Sequence, residues 1–241
     1  TVEYSFRQLD DEGEVLLGAG SDNLLFASAR LANSTAASSG AEYAYGVSAS
    51  HSEGDGTIEN GDHEFSRFNV HLQRNDEQQQ TDVLRRYQDK FYGWPGAYTG
   101  FATLPETDHT KTTHVLGHHR LSTESGFVEF GGFYRRLEDD YDFDRTTDES
   151  GGPGSFDHET RVYGAAVRGT HTGGGLDWHY AAQLTADELV FSTDLTEGDF
   201  TSRDYVSLSL VPTWTRADAA NRELLLRFGA TVDWSNRDGS E

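Results

Sequence analysis

LDWHYAAQL, residues 176–184, alternates with a period of two. In an extended chain Leu176, Trp178, Tyr180, Ala182 and Leu184 share one face, while Asp177, His179 and Gln183 share the other. The same pattern recurs along the chain. EYAYGVSASH (42–51) places Tyr43, Tyr45, Val47 and Ala49 together. RFNVHLQR (67–74) sets Phe68, Val70 and Leu72 against Arg67, Asn69, His71 and Gln73. Val206, Leu208, Leu210 and Trp214 continue it, as do Leu224, Leu226, Phe228, Ala230, Val232 and Trp234. Helical periodicity is hard to find, so the reading is all-β, with about ten to twelve strands.

Composition narrows the class. Hydrophobic residues make up 35% of the 241 positions, below the roughly 45–50% of ordinary domains, while aromatic residues reach 12%. A formal net charge of −22 argues against nucleic acid as a partner. Without cysteine there is neither a disulfide framework nor a thiolate metal site. No G-x-S-x-G, H-E-x-x-H or P-loop motif occurs, so an enzyme is not expected.

Two architectures make alternating strands: a soluble sandwich or barrel, and an antiparallel transmembrane β-barrel whose apolar face meets lipid. Several features favour the second. The alternating runs are long against a usual five or six residues. Arg67, His71, Arg135, Arg168 and Arg227 stand in mid-strand on polar faces, as a hydrated lumen allows. Short linkers such as THTGGG (170–175) alternate with long acidic ones such as SEGDGTIENGDHE (52–64) and DDYDFDRTTDESGGPGSFDHE (139–159). The whole chain, 1–241, reads as a single β-barrel region located in a bacterial outer membrane, in contact with its lipid.

YQDKFYGWPGAYTGFATLPETDHTKT (87–112), VLGHHR (115–120), FVEFGGFYRRLEDDYDFDR (127–145) and FDHETRVYGAAVRG (156–169) resemble the barrel of TonB-dependent outer-membrane receptors, in the branch similar to the vitamin B12 transporter. The resemblance covers about 42–215. It implies a plug-gated 22-stranded barrel that imports a large scarce nutrient with the TonB complex as partner. Cobalamin-like cofactors, iron chelates and oligosaccharides are the ligand classes. No plug domain or TonB box is seen, and the barrel would need roughly twice this length at about 20 residues per strand. The expectation is therefore part of a larger barrel. The alternatives are a self-contained porin-like channel and a soluble secreted β-domain that binds carbohydrate.

Candidate ligand contacts are the loop aromatics Tyr92, Trp94, Tyr98, Tyr141 and Phe143, with Phe101 beside them. Tyr87, Phe91, Tyr92 and Trp94 also fall where a headgroup girdle would anchor the strand. No cofactor is required, but calcium is a candidate in the extracellular loops. Asp140, Asp142 and Asp144 repeat the D-x-D-x-D opening of a calcium loop, although Arg145 and Gly151 break the EF-hand pattern. Among the clustered histidines 109, 114, 118 and 119, His114 and His118 share a face. They stand about 13 Å apart along a strand, too far to chelate one ion.

Overall fold

The computed structural model describes residues 6, 8–100, 102–146, 154–195, 201–217 and 223–236. Twelve strands run in chain order: β1 (Glu12–Ala19), β2 (Leu25–Ala36), β3 (Glu42–Gly54), β4 (His63–Asn75), β5 (Gln79–Gly93) and β6 (Thr107–Thr123) form the first half. The second half is β7 (Gly126–Asp142), β8 (Ser155–Gly173), β9 (Leu176–Ser192), β10 (Ser202–Ala217), β11 (Glu223–Arg227) and β12 (Ala230–Ser235). Each strand from β1 to β10 pairs with the next, and β12 pairs β10 beyond the end of β11. Every ladder is antiparallel. Among the described residues no ladder joins β1 to β11 or β12, so the sheet keeps two edges.

Connections alternate. From β3 to β10 the links at one end span 8, 13, 12 and 9 residues, while those at the other span 3, 2 and 2. One of the two-residue links joins β8 to β9 through Gly174 and Gly175, at φ +64° and +77°. Both positive angles suit a type I′ turn, whose twist matches the flanking strands and which disfavours side chains with a Cβ. One irregularity interrupts the β8–β9 ladder between Glu159 and Thr160.

The two faces of the sheet differ sharply. On one stand Phe68, Leu72, Leu184, Leu208 and Val232, between 46% and 65% exposed. On the other, Gln73, Asp82, Glu129 and Thr213 are buried. The only buried apolar residues among those described are Leu9, Ala32, Ala41 and Ala44. This inverts the usual rule that apolar side chains go inside and charged ones outside. The division has exceptions. Arg85 stands on the apolar face between Val70 and Val115, while Leu84, Leu116 and Phe133 form an apolar row on the polar face.

Asp82 organises the polar face. His71 Nε2 lies 2.8 Å from its Oδ1, the Gln73 amide donates to the same oxygen at 2.7 Å, and Gln80 donates to Oδ2 at 2.9 Å. The N-terminal segment lies over this network. The Phe6 ring stacks on His118 at 5.4 Å and tilts against His71 at 5.5 Å. Leu9 N–H donates to Gln73 Oε1 at 2.9 Å. The Leu9 side chain lies over Gly46, 3.4 Å from where a Cβ would stand, which is ordinary packing distance.

Candidate functional site

The long-loop end of β5 to β8 carries the candidate site. Trp94 opens the β5–β6 connection, and Pro95 and Gly96 then turn the chain. Ala97 N–H donates to Trp94 O at 3.1 Å, with Gly96 at φ +71°. That is a type II turn, in which proline presets the first central residue and glycine supplies the positive φ of the second. Trp94 N–H then pairs Glu106 O at 2.8 Å, and Gly96 N–H pairs Leu104 O at 2.9 Å, closing the loop at its base.

Glu106 holds the interior of that loop. It is fully buried. Its carboxylate accepts Tyr98 N–H at 2.9 Å and Thr99 N–H at 2.7 Å. It also accepts the hydroxyls of Thr99 and Tyr141. Burial pushes its pKa up, but these donors outweigh burial and hold the carboxyl below its ordinary value. The Tyr141 bond ties the β5–β6 loop to β7. Arg145 adds further ties, donating from Nη1 to Asp62 at 2.8 Å and from its backbone N–H to Pro105 O at 3.3 Å. Loops after β3, β5 and β7 are thereby linked.

The five candidate aromatics form one continuous series in this frame. Ring centroids run Tyr92 to Trp94 at 5.6 Å, Trp94 to Tyr98 at 5.8 Å, Tyr98 to Tyr141 at 5.3 Å and Tyr141 to Phe143 at 5.4 Å. Phe156, which sequence reasoning did not single out, closes the far end at 5.3 Å from Phe143. Trp94 and Tyr98 are exposed, and the other three are half-buried beneath them. All but the tilted Tyr92–Trp94 pair meet edge to face, which suits the ring quadrupoles. Phe101 lies outside the described residues.

Tyr92 differs from the girdle expectation. Tyr87 and Phe91 are on the apolar face, whereas Tyr92 falls one position out of phase and pairs with Asp108 on the polar face. Its hydroxyl donates to Asp108 Oδ2 at 2.5 Å, and Lys90 Nζ sits 4.2 Å from its ring centre.

Among the described residues, Asp140, Asp142 and Asp144 are not brought together by themselves. Asp140 and Asp142 lie on β7, where alternate residues share a face but stand about 7 Å apart. Asp140 faces Asp157, and Asp144 has left the strand to accept Thr146 N–H at 3.0 Å. His114 and His118 share the polar face, whereas His109 bonds Asp89 and His119 bonds Thr81 on the apolar one. Among the described residues no group of three or more His, Asp or Glu side chains is placed to hold a metal ion.

The sequence matches no protein-family model and no curated protein. Solved structures do match in fold. The ferric preacinetobactin receptor BauA from Acinetobacter baumannii overlays 95% of this chain and 43% of its own length, with a TM-score of 0.55 and 12% identity. The ferric citrate transporter FecA, in its unliganded form, overlays 92% of this chain and 40% of its own, with a TM-score of 0.53 and 11% identity. The chain thus spans about two fifths of the length of each. At such identities the likeness concerns the fold, an antiparallel β-barrel wall.

Proposed function

We propose that this chain forms part of the wall of an outer-membrane uptake receptor and captures a large, scarce nutrient with its loops. The observation that carries the reading is the inverted sheet. A face of half-exposed Leu, Val, Phe and Trp opposite a buried polar network suits lipid on one side and water on the other. A soluble sandwich would cover its apolar face instead.

The exposed pair Trp94 and Tyr98, backed by Tyr92, Tyr141 and Phe143, offers the capture surface. Rings held in a hydrogen-bonded frame present large contact area at little entropic cost. Both overlaid proteins are named for ferric ligands, which supports an iron chelate over a cobalamin-like cofactor or an oligosaccharide. Energy coupling through the TonB complex belongs to the same reading. A calcium ion would need ligands from a second loop, since the Asp140, Asp142 and Asp144 carboxylates stand apart.

Single-tryptophan variants refolded into vesicles with brominated acyl chains test the reading. Trp178 and Trp234, exposed on the apolar face, should be strongly quenched, while Trp94 in the loop should not. A chain that stays monodisperse without detergent, or quenching equal at all three positions, would overturn it.

A further inference from the structure

A row of directly paired residues crosses the polar face in the middle of the central strands. It runs Asn69, Arg86, His114, Arg135 and Val162 on β4 to β8. The row on its long-loop side is Arg67, Gln88, Thr112, Leu137 and Thr160. The row on its other side is His71, Leu84, Leu116, Phe133 and Gly164. Together the three rows hold three arginines, two histidines and no carboxylate.

The charge here does not balance. Arg86 and Arg135 are exposed, and neither has an ion pair among the described residues, while Arg67 donates to the Gln88 amide oxygen at 3.2 Å. The charges that act on His114 come from Arg86 and Arg135, with no carboxylate among them. On this face of β5 and β7 the first carboxylates are Asp82 and Asp139, each four residues from its arginine, or about 13 Å along the strand. Asp82 is fully buried and takes donors from His71, Gln73 and Gln80. On β9, beyond Val162, Asp187 is paired with Arg203 at 2.9 Å. With Asp82 counted, three guanidiniums still face one carboxylate. Arg86 and Arg135 stand about 10 Å apart at their backbones, with one strand between them, so their long side chains can converge over His114. The Phe133 ring meets His114 edge-on, at 6.1 Å between centroids, and lies over Gly164, where a Cβ would strike it. Leu84, Leu116 and Phe133 thus make an apolar shelf beside the two cations. Planar guanidiniums present paired N–H groups that match carboxylate and phosphate oxygens.

We propose that this row binds an organic anion, with its oxyanion group held between Arg86 and Arg135 across His114 and its apolar body on Leu84, Leu116 and Phe133. The site goes beyond the uptake reading and stands without it, because the row belongs to the sheet whatever surrounds it.

Titration calorimetry on the full 241-residue chain in maltoside micelles tests the proposal, with phenyl phosphate and inorganic phosphate as probes. Salt at about 0.15 M screens charges beyond about 8 Å, so the net −22 of the chain is muted while contact pairs persist. Phenyl phosphate should bind at one site, and inorganic phosphate at least tenfold more weakly, having no body to lie on the shelf. Arg86→Gln and Arg135→Gln should each weaken phenyl phosphate binding by about tenfold or more, the scale of losing one charge-assisted pair. Arg203→Gln is the control: it removes a guanidinium from the same row, but one already paired with Asp187, and should leave the affinity unchanged. His114→Glu covers the case in which the arginine variants misfold. It sets a carboxylate between the two guanidiniums, and should keep wild-type strand content by circular dichroism and abolish binding. No binding to folded wild-type chain, equal affinity for inorganic phosphate, full affinity in His114→Glu, or an equal loss in Arg203→Gln would each overturn the proposal. Brominated-lipid quenching can fail while phenyl phosphate still binds, which separates this result from the uptake reading.

Discussion

Glu106 shows how one buried carboxylate can shape a loop. Glu106→Ala strips the acceptor from two amides and two hydroxyls. Leaving buried donors unpaired costs about 1–3 kcal/mol each, so the 94–106 loop should open far more often, read as faster amide exchange at Tyr98 and Thr99. The pH dependence follows from the lowered pKa. The ionised carboxylate's contribution is fully present above its ordinary value of 4.5 and is lost as pH falls through the lower folded value. Trp94 emission, in a background without other tryptophans, should hold steady from neutral pH and shift only below that ordinary value. None of this was legible in the sequence. In LPETDHT, Glu106 looks like any acidic loop residue, and its donors come from seven and thirty-five positions away. Arg85 was equally hidden, because alternation assigns it to the apolar face but gives no reason for it there. Near a bilayer midplane such an arginine costs about 2–4 kcal/mol. Arg85→Leu should therefore raise the urea midpoint of vesicle-refolded protein.

At the scale of elements the sequence was more informative. Period-two alternation told which side is apolar in β3, β4, β7 and β9 to β12, because a pleated chain sends neighbours to opposite faces whatever surrounds it. Leu184 and Gln183 make the test. Leu184→Arg should destabilise the vesicle-refolded protein by about 2–4 kcal/mol, while Gln183→Arg on the polar face should cost far less. A similar loss at both positions in urea unfolding would mean that neither face meets lipid. The candidate aromatics were legible as residue types, since rings beside Pro-Gly are unusual, but their union into one series was not. That union depends on β7 delivering Tyr141 beside Tyr98, a pairing across more than forty residues of chain. The calcium expectation, too, was read from residue types alone. D-x-D-x-D fits a curled loop, whereas two of its three aspartates lie on an extended strand that holds their carboxylates apart. The N-terminal segment also escaped notice, because Phe6 and Leu9 gain meaning only from the strands beneath them.

Across the whole molecule, charge and edges govern behaviour. A net charge of −22 repels itself, so added salt should raise the thermal midpoint in micelles by screening it. A midpoint that is flat or falls between about 10 mM and 1 M potassium chloride, beyond the reach of the Debye screening change, would show that local ion pairs dominate instead. The central strands each have two partners, whereas β1 has one among the described residues. Amides of β1 should exchange well before those of β6 to β8. Strand length has a consequence of its own. From β6 to β9 the strands run 17, 17, 19 and 17 residues, against 8 in β1. Crossing a bilayer takes about 9–11 tilted residues. In the proposed membrane reading, roughly seven more, or ~20 Å of chain at the usual rise, would stand outside as hydrogen-bonded sheet. The rim of such a wall would be a slanted parapet, tall along one flank and low along the other. A bulky visitor would meet the tall flank first, and the rings mounted there would already be held in place when it arrived.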